Sequence, residues 1–380
     1  MRSNRRRNIF ILILTIFVAM NFYVERSLFL WLVSFLPYVP RFIFSSAYAF
    51  IALTIILGRL SQLPASVRTP LSFIASFWLG IFIYLMLFFL TSDIVVLAGI
   101  ITRLIPFDML LTTRFYARTT AIILTTCVFC YGLYNASRFK HVSYDIHLKT
   151  KLPKEINIVF ISDIHLGSIN SENRLESIVK GINDLNPDIV CIVGDIFNDS
   201  FSSVRKPEEA SALFKSIKAA YGVYAVFGNH DGGSTLLQMM EFLDRSNVKL
   251  LNDEYVIIDN RLILVGRLDS SPIGGFGDLK RKPFADIIAG IDAKLPVVVM
   301  DHNPARIGEY ESNVDLIICG HTHRGQMFPG SLVTRRLYEV DYGHLLTNND
   351  VHVIVSQGVH TWMMPVRIGT FNEIVSVLVR

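Results

Sequence analysis

The stretch Ile156-Asn157-Ile158-Val159-Phe160-Ile161-Ser162-Asp163-Ile164-His165-Leu166-Gly167 decides how the chain is read. A mostly apolar run rich in β-branched residues stops at a polar cluster, the pattern of a buried strand running into a turn. The turn carries an acid, an imidazole and a glycine. The same arrangement recurs downstream. Ile189–Val193 runs into Gly194-Asp195, and Val223–Phe227 into Gly228-Asn229-His230-Asp231. Val297–Met300 runs into Asp301-His302-Asn303-Pro304, and Leu316–Cys319 into Gly320-His321-Thr322-His323. Leu262–Val265 and Val351–Ser356 read as further strands.

Between the first three strands, Glu172–Leu185 and Pro207–Ala219 have helical periodicity. Strand–helix–strand order predicts right-handed parallel crossovers. The later, helix-poor part predicts a mixed sheet or a second sheet packed on the first. In an open α/β sheet the strand C-terminal ends converge on one edge, where ligands bind. Five segments would thus bring Asp163, His165, Asp195, Asn229, His302, His321 and His323 together. Oxygen and imidazole donors without thiolate suit Mn, Fe or Zn. Seven donors exceed what one tetrahedral ion takes and suit two divalent ions sharing a carboxylate. Gly167, Gly194, Gly228 and Gly320 permit the close turns such a cage needs. One D-x-H or H-x-H alone would read as packed or surface residues; here five of ten histidines stand in strand-end motifs.

In content and order these motifs resemble the calcineurin-like metallophosphoesterase superfamily, over about residues 154–380. Ser356-Gln357-Gly358, Pro365-Val366-Arg367 and Asn372-Glu373-Ile374 are similar to its membrane-anchored bacterial branch. The resemblance implies a four-layer α/β/β/α sandwich that hydrolyses phosphoester bonds in monoesters, diesters or pyrophosphates. It implies that Asp163, His165 and His323 hold one ion, that Asn229, His302 and His321 hold another, and that Asp195 bridges them. His230 matches the position of the acid that protonates the leaving oxygen, with Asp231 beside it. The physical logic agrees, since two cations lower the pKa of a bridging water to give hydroxide for in-line attack, and imidazole titrates in the range a general acid needs. Two residues depart from the pattern: Asn198 stands where many members have Asp, and Arg324 where Gly is common. Arg324 fits either a fork on a substrate phosphate or a solvent-facing turn. Arg174 reads as a surface residue of its helix. Trp362, Met363 and Met364 read as core or interface filler, with contact to lipid or an acyl chain as the other reading.

The N-terminal part is a different material. Residues 1–139 hold 12 Arg, no Lys and three acids (Glu25, Asp93, Asp108), a charge of +9, whereas residues 140–380 hold 24 basic residues against 29 acids, −5. The total of +4 hides two regions in different solvents. Because the basic excess is not on the globular part, nucleic-acid binding is not expected. With 51% hydrophobic residues and ordinary Gly and Pro, disorder and collagen-like architecture are excluded. Four apolar stretches, Asn8–Val24, Val39–Leu57, Leu71–Ile100 and Thr119–Leu133, approach the ~20 residues a membrane span needs. About four transmembrane helices are therefore expected. Arg2, Arg5, Arg6 and Arg7 precede the first, with no small-x-small cleavage site after it, so it reads as a retained anchor rather than a signal peptide. With the N-terminus inside, the loops place 11 Lys and Arg on the inner side and 5 on the outer, which by the positive-inside rule turns the globular half to the cytoplasm. Asp93 reads as an interfacial end-of-helix acid, and Cys127-x-x-Cys130 as lipid-facing or helix-packing rather than zinc-binding. Free Cys191 and Cys319 imply no disulfide framework.

The expected division is a transmembrane helical domain at 1–139, a linker at 140–153 and a phosphoesterase domain at 154–380. The expected protein is a multi-pass enzyme of the inner (cytoplasmic) membrane, with the bilayer and a phosphoester, lipid-linked in one reading, as partners. Other classes stay open: a transporter or receptor module regulated by a phosphoesterase domain, or a metal-binding scaffold without activity.

Overall fold

The computed structural model describes residues 2–60, 62–291, 294–310 and 313–380. They form two compact units, Met1–Leu133 and Tyr134–Arg380.

The first unit is helical: α1 (Arg2–Leu32), α2 (Arg41–Leu57), α3 (Ala65–Ile101) and α4 (Leu110–Ala136) follow the four apolar stretches. Pro40 and Pro64 stand directly before α2 and α3, where a fixed φ and a missing N–H mark a helix start. Val24, Tyr48, Phe82, Leu85, Phe89 and Ala121 form the unit's core. Two of its carboxylates are paired. Buried Glu25 accepts from Arg41 Nη2 at 2.9 Å and Ser45 Oγ at 2.8 Å, and Asp93 accepts from Tyr23 Oη at 2.8 Å. Among the described residues, two helical segments are long and apolar enough to cross a membrane, Ser66–Ile101 and Phe107–Ala136. Four were expected. The 17 residues of α2 reach about 26 Å at 1.5 Å each, at the lower limit of the ~17–25 residues a span uses.

In the second unit, one sheet runs β1 (Phe139–Ile146), β12 (Asn372–Val379), β2 (Ile156–Ile161), β3 (Ile189–Val193), β4 (Val223–Val226), β5 (Val248–Leu250). Strands β2 to β5 pair parallel; β12 lies antiparallel to β2 and parallel to β1. The other sheet runs β10 (Gly343–Leu346), β11 (His352–Val355), β9 (Leu316–Cys319), β8 (Val297–Met300), β7 (Leu262–Gly266), β6 (Glu254–Ile258), with parallel pairing from β11 to β7 and antiparallel edges. Successive strand residues face opposite sides, and the cores follow that rule. Val159 and Ile161 pack on helices α5 (Ser171–Asp184), α6 (Pro207–Lys215) and α7 (Leu236–Arg245), through Leu175, Ile178, Phe214 and Phe242. Ile156, Ile158 and Phe160 share a core with Leu262, Leu264, Val298 and Leu316 of the second sheet. Ile263, Val265, Val299 and Ile317 meet Ile287 of α8 (Phe284–Ile288) and Tyr310. The result is an α/β/β/α sandwich. Helix α9 (Gly330–Leu337) follows the second sheet's β9 turn.

The residues read as a linker begin as a strand. Phe139–Ile146 pair with Asn372–Val379 along the full length of β12. The strand lies at the sheet edge with most side chains exposed or half-buried, so no apolar run marks it in the sequence.

Candidate metal centre

Strands β2, β3, β4, β8 and β9 end at one edge of the sandwich, and the turns after them converge. Asp163, His165 and His323 each offer one ligand atom within 4.8 Å of the others, and so do Asp195, His302 and His321. His165 Nε2 lies 3.2 Å from His323 Nε2, and His323 Nε2 lies 3.3 Å from Asp163 Oδ1. Asp195 stands between the clusters, its Oδ2 3.2 Å from His302 Nε2 and 3.9 Å from His165 Nε2. Asn229 is buried beside them.

The turns hold these residues in uncommon conformations. Asp163, His165, Asp195, His321 and His323 all have φ between 47° and 71°, a region side-chain-bearing residues enter at a cost and keep only where the surroundings over-determine it. Gly228 explains part of the packing. A Cβ there would lie 2.3 Å from Asp195 Oδ1 and 2.4 Å from its amide nitrogen.

The donor set suits divalent cations. Asp163 Oδ1, Asn229 Oδ1 and His302 Nε2 are buried yet make no hydrogen bond, although Asp195 Oδ2 is close to His302. Orphaned buried oxygen and nitrogen atoms are costly unless something absent from the protein's own groups satisfies them. Burial pushes His165 down to about 4 and His321 down to about 3, and holds His323 well below the ordinary imidazole range. Three neutral imidazoles with free lone pairs are what metal ligation requires. Burial pushes the Asp163 carboxyl up to about 6. Burial also opposes ionisation of Asp195, but the pairing with His302 outweighs it and holds Asp195 well below the usual carboxylate range.

His230 borders both clusters, its ring centroid 5.3 Å from that of His165 and 5.5 Å from that of Trp362. Its Nδ1 is 2.5 Å from Asp199 Oδ1. Burial disfavours the imidazolium, but the hydrogen bond to Asp199 and the charges of Asp195, Asp199 and Asp231 outweigh burial and raise its pKa. Asp231, expected beside His230, turns elsewhere. Its oxygens accept from the amides of Phe197 (2.7 Å), Gly228 (2.8 Å) and Ile196 (3.2 Å), so it ties the turn after β3 to the turn after β4. Arg324 lies over the Tyr342 ring at 4.6 Å. Arg174 is not a surface residue: it is half-buried and donates from Nη1 to Ala136 O at 2.6 Å.

Two acids of the site escaped the sequence reading. Asp199 stands one position after Asn198, where the family acid was sought. Asp269 follows β7, buried, with Oδ2 making no hydrogen bond. Burial raises its carboxyl and the nearby His302 works the other way. The strand-end rule also leads from β7 to Asp269, three residues past the strand, where the first donor after each of the other strands stands two or three past.

A family model described as calcineurin-like phosphoesterase matches residues 156–325, a range containing every donor named above. The chain is 30% identical over 233 residues to an uncharacterized metallophosphoesterase of Aquifex aeolicus (strain VF5), covering 60% of this chain and 88% of that protein. It is 29% identical over 280 residues to a transmembrane protein with metallophosphoesterase domain of Danio rerio, covering 68% of this chain and 62% of that relative, so the match spans less than two thirds of the fish protein. Among solved structures, TT1561 of Thermus thermophilus aligns at a TM-score of 0.35 and 12% identity, covering 53% of this chain and 89% of that one.

Proposed function

The chain belongs to the calcineurin-like metallophosphoesterases and is a metal-dependent phosphoesterase, and from that premise we propose a membrane-anchored hydrolase that acts on a phosphoester presented at the bilayer. The observation that carries the metal-dependent part is the pair of three-residue clusters, buried but for the half-buried His321, that meet at Asp195. Asp163, His165 and His323 would hold one divalent ion, Asn229, His302 and His321 the other, and Asp195 would be shared. When bound, such ions supply Lewis acidity toward the phosphoryl group and activate water.

The protein's own groups do the rest. Asp199 accepts the Nδ1 proton of His230, which fixes the tautomer and ring orientation and leaves Nε2 to hold the proton for the leaving oxygen. Asp231 keeps the turns after β3 and β4 in register, so that Asp195 and Asn229 stay on the same side of the cleft. Trp362 lies beside His230, ring centroids 5.5 Å apart, and Arg324, the residue after His323, is the one proposed to meet a substrate phosphate.

The membrane part of the proposal rests on the long apolar helices, on the description of the Danio rerio relative as a transmembrane protein and on the arginine-rich N-terminal third. In it, α1 to α4 are four spans, residues 1–139 form the membrane domain, and residues 154–380 face the cytoplasm. Tethering confines the enzyme to the surface where a lipid-linked phosphoester would reside.

A purified full-length preparation, assayed with an aryl phosphodiester and a panel of lipid phosphoesters with and without Mn²⁺, tests the reading. Turnover that needs Mn²⁺ is expected. Complete inactivity across the panel with two ions bound per chain would leave the scaffold reading standing instead. Protease accessibility of the Lys149–Lys154 segment from each side of sealed vesicles tests the orientation.

A further inference from the structure

The last four carbonyls of an α-helix lack intrahelical partners and are ordinarily met by water or a cap. At the end of α4 one of them, that of Ala136, is met by side chains of the sandwich. Ala136 O accepts from Asn372 Nδ2 at 2.7 Å and from Arg174 Nη1 at 2.6 Å. Asn135 Nδ2 donates to Arg367 O at 3.0 Å and Thr370 O at 2.6 Å. The chain of bonds continues inward. Asn372 Oδ1 accepts from Arg367 Nε at 2.9 Å, and Arg367 Nη1 donates to His323 O at 3.0 Å. Arg367 Nη2 donates to Gln357 O and His360 O, both at 2.6 Å, and lies 3.1 Å from His323 Nδ1. Thr370 Oγ1 donates to Gln326 O, three residues past His323.

Arg367 and Asn372 are wholly buried. A guanidinium in that position is tolerated only when its donors are matched, and these are matched by carbonyls of the site's own loops. The turn it grips needs holding. His321, His323, Arg324 and Gln326 all have φ between 47° and 71°, conformations that local sequence alone does not maintain.

We propose that Asn135, Asn372 and Arg367 are positioning residues that fasten the end of α4 to the His321–Gln326 turn and thereby set the ion affinity of the Asp163, His165 and His323 cluster. The proposal rests on the reading that this cluster holds an ion. It makes the last turn of α4 part of the catalytic scaffold rather than a connector.

The test titrates Mn²⁺ alone into the full-length chain by calorimetry, for wild type, Asn135→Ala, Arg367→Lys and Ser137→Ala. Ser137 lies next to the same helix end, but its hydroxyl donates only to Tyr134 O, so wild-type affinities are expected for that control. Wild type is expected to bind two ions. Asn135→Ala and Arg367→Lys are expected to weaken one of the two steps roughly ten- to a hundredfold, as loss of ligand-orienting partners does, and to spare the other. Lysine keeps the charge but cannot reach four acceptors from a planar fork. General destabilisation would lower the melting temperature without changing the ratio between the steps. If Arg367→Lys does not fold, Asn135→Ala decides alone. Two ions bound at wild-type affinity by a folded Asn135→Ala chain overturns the inference and leaves the ion sites intact. A wild-type chain that binds no Mn²⁺ counts against the ion-site reading and removes the inference with it.

Discussion

His230 is caught between burial, which disfavours its charge, and the carboxylates of Asp199 (at 2.5 Å), Asp195 and Asp231, which together outweigh burial and raise its pKa. An imidazole whose charged form is favoured in this way, beside a candidate metal cluster, is equipped to give a proton to a leaving oxygen. In the proposed role, its replacement would remove general acid catalysis, worth roughly 10²- to 10⁴-fold. His230→Ala is therefore expected to lower kcat by that order with bound metal unchanged, since no cluster atom is lost. Wild-type turnover in a metal-replete variant would end the assignment. Asp199→Ala leaves the ring in place but frees its orientation, and about a ten- to hundredfold fall in kcat is expected, checked by kcat and metal content on one preparation. Asp199 was hard to find in the sequence because family spacing points to Asn198. The extra residue fits because Asp199 takes a φ of 65°, which asparagine and aspartate tolerate better than most. Arg174 misled for a related reason: helical periodicity assigns a face by residue type, and the helix end that Arg174 caps is remote in sequence.

The element scale explains which parts of the molecule were legible. Strands β2, β3, β4, β7, β8 and β9 are buried on both faces, so each leaves a continuous apolar run ending in a polar turn. Edge strands β1, β6 and β10 leave most of their positions exposed or half-buried, and β1 and β10 carry no continuous apolar run like those of the central strands. The seven expected donors follow strands of the first kind, which is why so much of the cluster could be named from sequence. What sequence could not supply was the loop-to-loop bonding, such as the three amides on Asp231, because those partners are set by tertiary approach. The glycines test this scale. At Gly228 a methyl group would meet Asp195 Oδ1 at 2.3 Å and His302 Cδ2 at 2.8 Å, so Gly228→Ala must displace the Asp195 carboxylate. At least a tenfold loss of Mn²⁺ affinity is expected, with activity falling alongside. Gly275→Ala is the contrast, since a Cβ there meets nothing within 4 Å and only a φ of 79° is strained. It should cost about 1 kcal/mol of stability and leave metal affinity untouched, as chemical denaturation and calorimetry would show.

For the whole molecule, two consequences follow from placing an acidic metal site in one unit and an apolar arginine-rich surface in the other. Ligands that bind only the folded state stabilise it by about 2.7 kcal/mol per site at a hundredfold excess over Kd, and about 1 kcal/mol moves the melting temperature of a domain this size by ~2–4 °C. Chelation by EDTA should thus lower the melting temperature of the phosphoesterase unit by of order 10 °C, reversed by Mn²⁺. A midpoint that ignores Mn²⁺ would argue against either site being loaded in the folded chain. The second consequence concerns the tether. An enzyme held at a bilayer meets a lipid-linked phosphoester by lateral diffusion, so its rate should follow the mole fraction of that lipid in the membrane and not its bulk concentration. A soluble aryl phosphodiester reaches the same metals from water and should be indifferent to the membrane. In vesicles containing the full-length protein, diluting the phosphoester lipid tenfold with neutral lipid at constant bulk amount should lower the lipid rate about tenfold below saturation and leave the aryl rate unchanged. If both rates respond alike, the α1–α4 unit serves something other than substrate presentation, and the reading reduces to a phosphoesterase that happens to be attached to a membrane.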